Sequence, residues 1–309
     1  MKLSPLRPDD CIAVVAPADW LDPAVLEQGA ARLAALGYRA KIHPQNFLRQ
    51  GRMAGSDGAR RQALHDAFVD PEVRAILCAR GGYGAGRLVD GLDYGAIRAN
   101  PKPFVGYSDI TALLNAIHKH TGLPTFHGPV LKELALGDSP VGEGILLDLL
   151  GGRQPKGAMD RLLADATVLR PGMSQGRLAG GNLTLIHALI GTRHDVVTAG
   201  RILFLEDWRE PLYHLDRMLF HLRQVGKFDG IAGLIVGRIA EIDERPEHLG
   251  GTIDDLLADH FGAAPFPVAT NAAIGHARDK ITLPLGARAE MRCENGRLTL
   301  DVQSVFAPG

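Results

Sequence analysis

Over roughly the first 130 residues the chain alternates short apolar runs with amphipathic helical patterns, and that alternation limits the folds open to it. CIAVVAPA is a continuous apolar run ending at a proline, as expected of a strand buried on both faces. PAVLEQGAARLAALG follows, opened by Pro23 and stopped by Gly37, with Val25, Leu26, Leu33 and Leu36 near helical spacing. A second helical stretch runs from Ala59 to Val69. VRAILCA reads as the next strand and leads straight into the glycine-rich RGGYGAGR; KPFVGY is another strand, and ITALLNAIHKH a helix closed by Gly122. LPTFHGPV reads as one further strand. Strands that alternate with helices are joined by right-handed crossovers into an open parallel sheet covered on both faces. Functional groups in such sheets collect at the carboxyl ends of the strands. Three loops there carry chemistry: Ala16 to Trp20, Arg80 to Arg87, and Gly106 to Asp109.

The pattern changes after about residue 145, which sets the expected domains at 1–145, a linker at 146–172 rich in Gly, Pro and charge, and 173–309. The last block contains GRLAGGNLTLIHALIGT, RILFLEDW, the amphipathic YHLDRMLFHLRQVGK, the run GLIVGRI and a hairpin signal at Asn295-Gly296, a smaller α/β domain. With 46% hydrophobic and 22% charged residues the chain can bury a sizeable core. Lys+Arg 34 against Asp+Glu 35 gives a net charge of -1, so neither nucleic acid nor an anionic membrane surface is an expected partner, and a small peptide or other small molecule is. The apolar run Ile12 to Ala16 follows Asp9 and Asp10 and is too short for a signal-peptide core, and no stretch approaches the roughly 20 apolar residues of a membrane span. Cys11, Cys78 and Cys293 are sparse and odd in number, which suits a reducing compartment. The expected location is the cytoplasm.

FVGYSDITALLNAI has the layout of a nucleophile elbow: an apolar strand, a tight turn carrying Ser108, then a helix whose free N–H groups can meet an oxyanion. Ile110 stands where G-x-S-x-G has its second glycine, and a serine here could equally cap the helix. The glycines of RGGYGAG, which satisfy no nucleotide-binding pattern, read either as a substrate-facing loop with N–H donors or as a tight turn needing positive φ. A serine nucleophile requires a base and a group to orient it. His118, His120, His187, His214 and His221 lie in helical patterns, whereas His276 lies in the glycine-flanked NAAIGHARDK after FPVAT. Glu206 follows the apolar Ile202 to Leu205, where a carboxylate is costly unless paired; Asp207 and Glu210 are rivals. No H-E-x-x-H or other metal-ligand spacing occurs, so neither a metal nor a cofactor is expected.

VVAPA, ARGGYGAGRLVDGLDY, FVGYSDITALLNAI, GRLAGGNLTLI, LFLEDWREPLYHLDRML and NAAIGHARDK run in order across nearly the whole chain. Together they resemble the LD-carboxypeptidase family of serine peptidases, which includes the microcin C immunity peptidases. The resemblance implies an N-terminal flavodoxin-like domain, a smaller C-terminal α/β domain and a homodimer. It also implies a triad of Ser108, Glu206 and His276, with an oxyanion hole from the main-chain N–H of Asp109 and of the glycine loop, assigned to Gly82. Asn182 of AGGN falls on a recurrent position, structural or substrate-facing. The implied activity is removal of the terminal D-alanine from muropeptide tetrapeptides in peptidoglycan recycling. The competing readings are an immunity-type peptidase acting on a peptidyl or aminoacyl nucleotide, and a flavodoxin-like binding module without catalysis.

Overall fold

The computed structural model describes residues 1–242 and 251–307. Its strands are β1 (Cys11–Val15), β2 (Arg39–Ile42), β3 (Val73–Cys78), β4 (Phe104–Gly106), β5 (Thr125–His127), β6 (Thr167–Arg170) and β7 (Gly172–Asn182). They continue with β8 (Arg201–Trp208), β9 (Gly233–Ala240), β10 (Val268–Gly275), β11 (Leu283–Leu285), β12 (Arg288–Glu294) and β13 (Arg297–Val302). The helices are α1 (Pro23–Ala35), α2 (Asp57–Val69), α3 (Tyr94–Ala99), α4 (Thr111–Thr121) and α5 (Leu131–Leu136). The remaining ones are α6 (Pro140–Leu150), α7 (Lys156–Leu163), α8 (Leu183–Leu189), α9 (Leu212–Gln224) and α10 (Ile253–Phe261). The chain divides into two compact units, the first comprising Met1–Pro155, Thr282–Gly286 and Ser304–Gly309, the second Lys156–Ile281 and Ala287–Gln303.

In the first unit the strands lie in the order β11-β5-β4-β3-β1-β2. β2-β1-β3-β4-β5 are parallel, the flavodoxin-like order expected of the N-terminal domain, and β11 adds an antiparallel edge on β5. The buried pattern of β1 explains its unbroken apolar sequence, since it pairs on both sides and is covered on both faces. α1 starts where Asp22 caps the N–H of Ala24 and Pro23 supplies a pre-set φ, and it buries Leu26, Gly29 and Leu33. A Cβ on Gly29 would come within 2.5 Å of Leu131, so the small residue lets α5 pack closely. The loops after β1, β3 and β4 are the three singled out by their chemistry.

The second unit holds a mixed sheet in the order β13-β12-β7-β8-β9-β10-β6. β7, β8, β9 and β10 are parallel neighbours, and β6 and β12 flank them antiparallel. α9 buries Leu212, Leu215, Met218, Leu219 and Leu222, one apolar stripe at helical spacing. Asn295 and Gly296 take positive φ values of 53° and 70°, the turn that joins β12 to β13.

The main division between the units, at Pro155/Lys156, falls inside the 146–172 segment expected to be a linker, but that segment holds regular structure. Residues 156–163 form α7, which buries Met159 and Leu163, and Thr167–Arg170 is strand β6 on the edge of the second sheet. Two short segments near the C-terminus also return to the first unit, one of them as β11. Gly, Pro and charge there mark tight turns between short elements.

Candidate active site

Ser108 lies two residues beyond the end of β4 and adopts φ 62°, the left-handed region that a serine occupies only at a cost on the order of 1–3 kcal/mol. The strain is imposed by packing. A Cβ on Gly106 would lie 2.7 Å from Ile110 Cγ2, and Ile110 is fully buried. Ile110, the departure from G-x-S-x-G, therefore closes the elbow by seating its side chain over the glycine at the strand end. Ser108 does not serve as a helix cap: Tyr107 and Ile110 occupy the cap positions of the short 3-10 turn and of α4, neither with a side-chain capping bond.

The glycine loop packs on this elbow. A Cβ on Gly81 would stand 2.9 Å from Ser108 Cβ and 3.1 Å from its Oγ, so only glycine lets the main chain approach the hydroxyl. Gly82 has φ 121°, and a Cβ there would lie 2.2 Å from the Asp19 carboxyl carbon. Asp19, in the loop after β1, is buried, accepts a bond from the Tyr83 N–H at 3.1 Å, and is gripped by Arg52 at 2.8 and 2.7 Å. The fully buried Arg60 of α2 donates to the carbonyls of Pro17 at 2.6 Å and Gly84 at 3.0 Å, tying the first loop to the glycine loop. The Asp109 carboxylate accepts from the Ala85 N–H at 2.7 Å; burial pushes its carboxyl above the ordinary range. Asp109 thus fixes the loop with its side chain. Asp19, Arg52 and Arg60 were not recognised as supports in the sequence, although the loop containing Asp19 was; each is an ordinary charged residue until its partners are known.

In the second unit β8 carries Glu206 with its side chain wholly buried, and Glu206 Oε2 lies 2.7 Å from His276 Nδ1. That partner fixes the tautomer, with the proton on Nδ1 donated to the carboxylate. His276 follows β10, whose strand runs through Gly275, so all of NAAIG is sheet rather than the loop its glycine suggested. Gly275 has φ 76°, and a Cβ there would fall 2.2 Å from Glu206 Oε2. The glycine before the histidine is the space the carboxylate occupies. Opposite, a Cβ on Gly237 of β9 would meet Glu206 Cβ at 3.1 Å, and the β8–β9 pairing shifts register between Leu205 and Asp207.

The rival carboxylates go elsewhere. Asp207 points away from Glu206 and accepts from Asn182 Nδ2 (2.8 Å), Thr184 N–H (2.9 Å), Thr184 Oγ1 (2.8 Å) and the Trp208 N–H (2.9 Å). Burial, and then the charge of Glu206, push the Asp207 carboxyl up to about 6. Glu210 lies 2.9 Å from His214 Nδ1 on α9. Asn182 caps α8 by accepting from the Leu185 N–H at 3.2 Å while donating to Asp207, which favours the structural role for its side chain. Of the other histidines, His187 and His221 pair with each other at 2.9 Å, and His118 Nδ1 lies 3.0 Å from the Leu123 carbonyl.

Trp208 was not anticipated here. Its ring stacks on His276 at 5.6 Å between centroids and 10° between planes. Arg209 lies over the same indole at 4.3 Å and pairs with Glu241 at 2.6 Å. The Arg209 and Trp208 side chains, both bonded to Glu241, hold its carboxyl below the ordinary range. Only the adjacency of tryptophan to the candidate acid in LEDW could have signalled this.

The first, flavodoxin-like unit carries a strained serine elbow and the second a buried carboxylate–histidine pair, each a component that α/β serine hydrolases use. The chain belongs to the LD-carboxypeptidase family: its residues 12–128 match the LD-carboxypeptidase N-terminal domain and residues 175–291 the C-terminal domain. It is 37% identical to a probable murein peptide carboxypeptidase of Bacillus subtilis, over 94% of this chain and 91% of the relative. It is 31% identical to the murein tetrapeptide carboxypeptidase of Pseudomonas aeruginosa, over 94% of this chain and 95% of the relative. Among solved structures it resembles an MccF-like protein from Bacillus anthracis, with a TM-score of 0.85 and 28% identity over 98% of this chain and 99% of that one.

Proposed function

We propose that the protein is a serine carboxypeptidase that removes the terminal D-alanine from muropeptide tetrapeptides by cleaving an L,D bond. The observation that carries this reading is the buried Glu206 held 2.7 Å from His276 Nδ1 by a glycine that leaves it room. The Pseudomonas aeruginosa relative, named for murein tetrapeptides, supports the substrate class.

In this reading Ser108 Oγ attacks the scissile carbonyl while His276 Nε2 takes its proton. Glu206 holds the imidazole in the required tautomer and stabilises the imidazolium. The oxyanion is met by the N–H of Asp109 and by the glycine loop, for which Gly82 is the assigned donor. His276 then returns the proton to the departing amine of D-alanine, and water, deprotonated by the same histidine, releases the acyl group from Ser108. The free, buried cysteines support a reducing compartment, hence the cytoplasm, and the homodimer implied by the family is part of the same reading.

Incubation with L-Ala-γ-D-Glu-diaminopimelate-D-Ala, with product masses recorded, tests the reading. Loss of one alanine is expected, and the same peptide ending in L-alanine should be cut roughly a hundredfold more slowly, since an inverted centre moves the carbonyl out of line. Equal rates on both peptides would indicate a general peptidase. The likeness to the MccF-like protein favours a second reading, a peptidase of peptidyl or aminoacyl nucleotides. Turnover of an aminoacyl nucleotide with none of the tetrapeptide would select it.

A further inference from the structure

Three arginines stand side by side across the second sheet. Arg288 of β12 is in register with Arg177 of β7, and Arg177 is in register with Arg201 of β8. Partners in register project from the same face, and neighbouring strands lie about 4.8 Å apart, so three guanidinium groups share a strip about 10 Å wide. They line one open groove of about 600 Å³ in the second unit. Like charges directly opposite one another on a sheet are destabilising, so such a row needs an anionic partner.

Two members of the row are left without one. Neither Arg201 nor Arg288 has a carboxylate partner among the described residues. The acidic residues of the groove, Glu290 and Asp301, face each other one pleat away, about 7 Å along the strands. Glu290 is already held by Gln175 at 2.8 Å and by Arg292. Arg201 is half-buried, and its burial followed by the charge of Arg177 pushes its guanidinium below the ordinary value. Ala199 and Gly200 at the rim present no side chain large enough to cover the row.

We propose that the Arg177–Arg201–Arg288 row is a binding site for a phosphate group, carried as inorganic phosphate or as a small phosphomonoester. Guanidinium forks match the oxygens of a tetrahedral anion in pairs, and several forks on one strip select a multivalent oxyanion over chloride. The site is separate from the candidate catalytic residues. Glu206 lies five residues beyond Arg201 on β8, and Asn182 five beyond Arg177 on β7, about 17 Å along each strand. A ligand here would bridge the middle of β7 and the start of β8, the strands whose far ends carry the α8 cap and the acid.

Calorimetric titration of the intact protein at fixed ionic strength, with phosphate, glycerol 3-phosphate, succinate and chloride, tests the proposal. Phosphate and glycerol 3-phosphate should bind in the millimolar range or tighter, and succinate at least about tenfold more weakly. Arg201→Gln and Arg288→Gln should each raise the phosphate Kd about tenfold or more while peptidase activity is retained. If Arg201→Gln fails to fold, as judged by circular dichroism, the exposed Arg288 carries the test alone. Phosphate binding no stronger than chloride, equal binding of succinate, or an unchanged Kd in the folded variants would each overturn the assignment.

Discussion

The elbow carrying Ser108 is built from backbone, whereas the Glu206–His276 pair is built from side chains. Ser108 is positioned by φ 62° and by the close approach of Gly81 and Gly106 to their neighbours. Its hydroxyl is aimed by the turn itself. His276 is instead aimed by a hydrogen bond to a wholly buried carboxylate and by the face of Trp208. A nucleophile needs one position. A base must pass through two charge states without moving, so its partner must stabilise the charged form, which a carboxylate beside its ring does more strongly than a neutral acceptor. Glycine serves both regions, though differently: at Gly81 it admits main chain against a hydroxyl, and at Gly275 it admits a side chain against main chain.

Replacing Ser108, the proposed nucleophile, should have the largest effect and leave the elbow standing. Ser108→Ala should lower kcat by roughly 10⁶, as serine nucleophiles generally do, with little change in Tm because Ser108 caps no helix. Substantial residual turnover after purification would place the nucleophile elsewhere. Next, Glu206→Gln keeps the volume and the fold but loses the charge, and kcat should fall by about 10⁴ through the wrong imidazole tautomer. A loss confined to KM would mean that Glu206 contacts substrate instead.

Gly275→Ala tests the side-chain logic without replacing either member of the pair. The added methyl stands 2.2 Å from Glu206 Oε2 at φ 76°, so the carboxylate must shift, and a displacement near 1 Å costs roughly a hundredfold in kcat. Tm should drop as well. Wild-type kcat in this variant would show that the pair tolerates movement. Trp208→Ala should be milder, since a stacked ring contributes about 0.5–1.5 kcal/mol beyond its buried area, a loss of roughly twofold to tenfold. The fall should appear in kcat, and Trp208→Phe should restore most of it; a fall in KM terms alone would make Trp208 a substrate platform.

Asp207→Asn should change activity least and reveal itself in stability. Burial raises the Asp207 carboxyl to about 6, so the folded chain keeps a proton that the unfolded chain, titrating near about pH 4, has lost. This contribution to stability is complete below about pH 4 and is lost as pH rises through about 6. An amide cannot titrate, so Tm of Asp207→Asn should fall less than that of the wild type between those limits. At neutral pH the variant should be less stable by about 1–3 kcal/mol, because an amide nitrogen now meets hydrogen-bond donors. Parallel Tm curves would remove Asp207 from the acid–base balance of the fold.

Local sequence was enough for the first sheet and for the elbow. Continuous apolar strands that alternate with periodic helices leave few ways to bury both faces of a sheet, and a strand–turn–helix with a serine at its turn is contiguous in the chain. The three loops at the strand ends were legible for the same reason. Which carboxylate turns toward His276 was decided by tertiary structure. Glu206 and Asp207 are adjacent and chemically alike, and only strand alternation, the bulge opposite Gly237 and the room left at Gly275 separate them. The same holds for α7 in the expected linker, for β11 returning to the first sheet, and for three arginines brought abreast from distant segments. Each depends on the register between strands far apart in sequence, and register is set by the packing of whole faces rather than by the residues of any one segment.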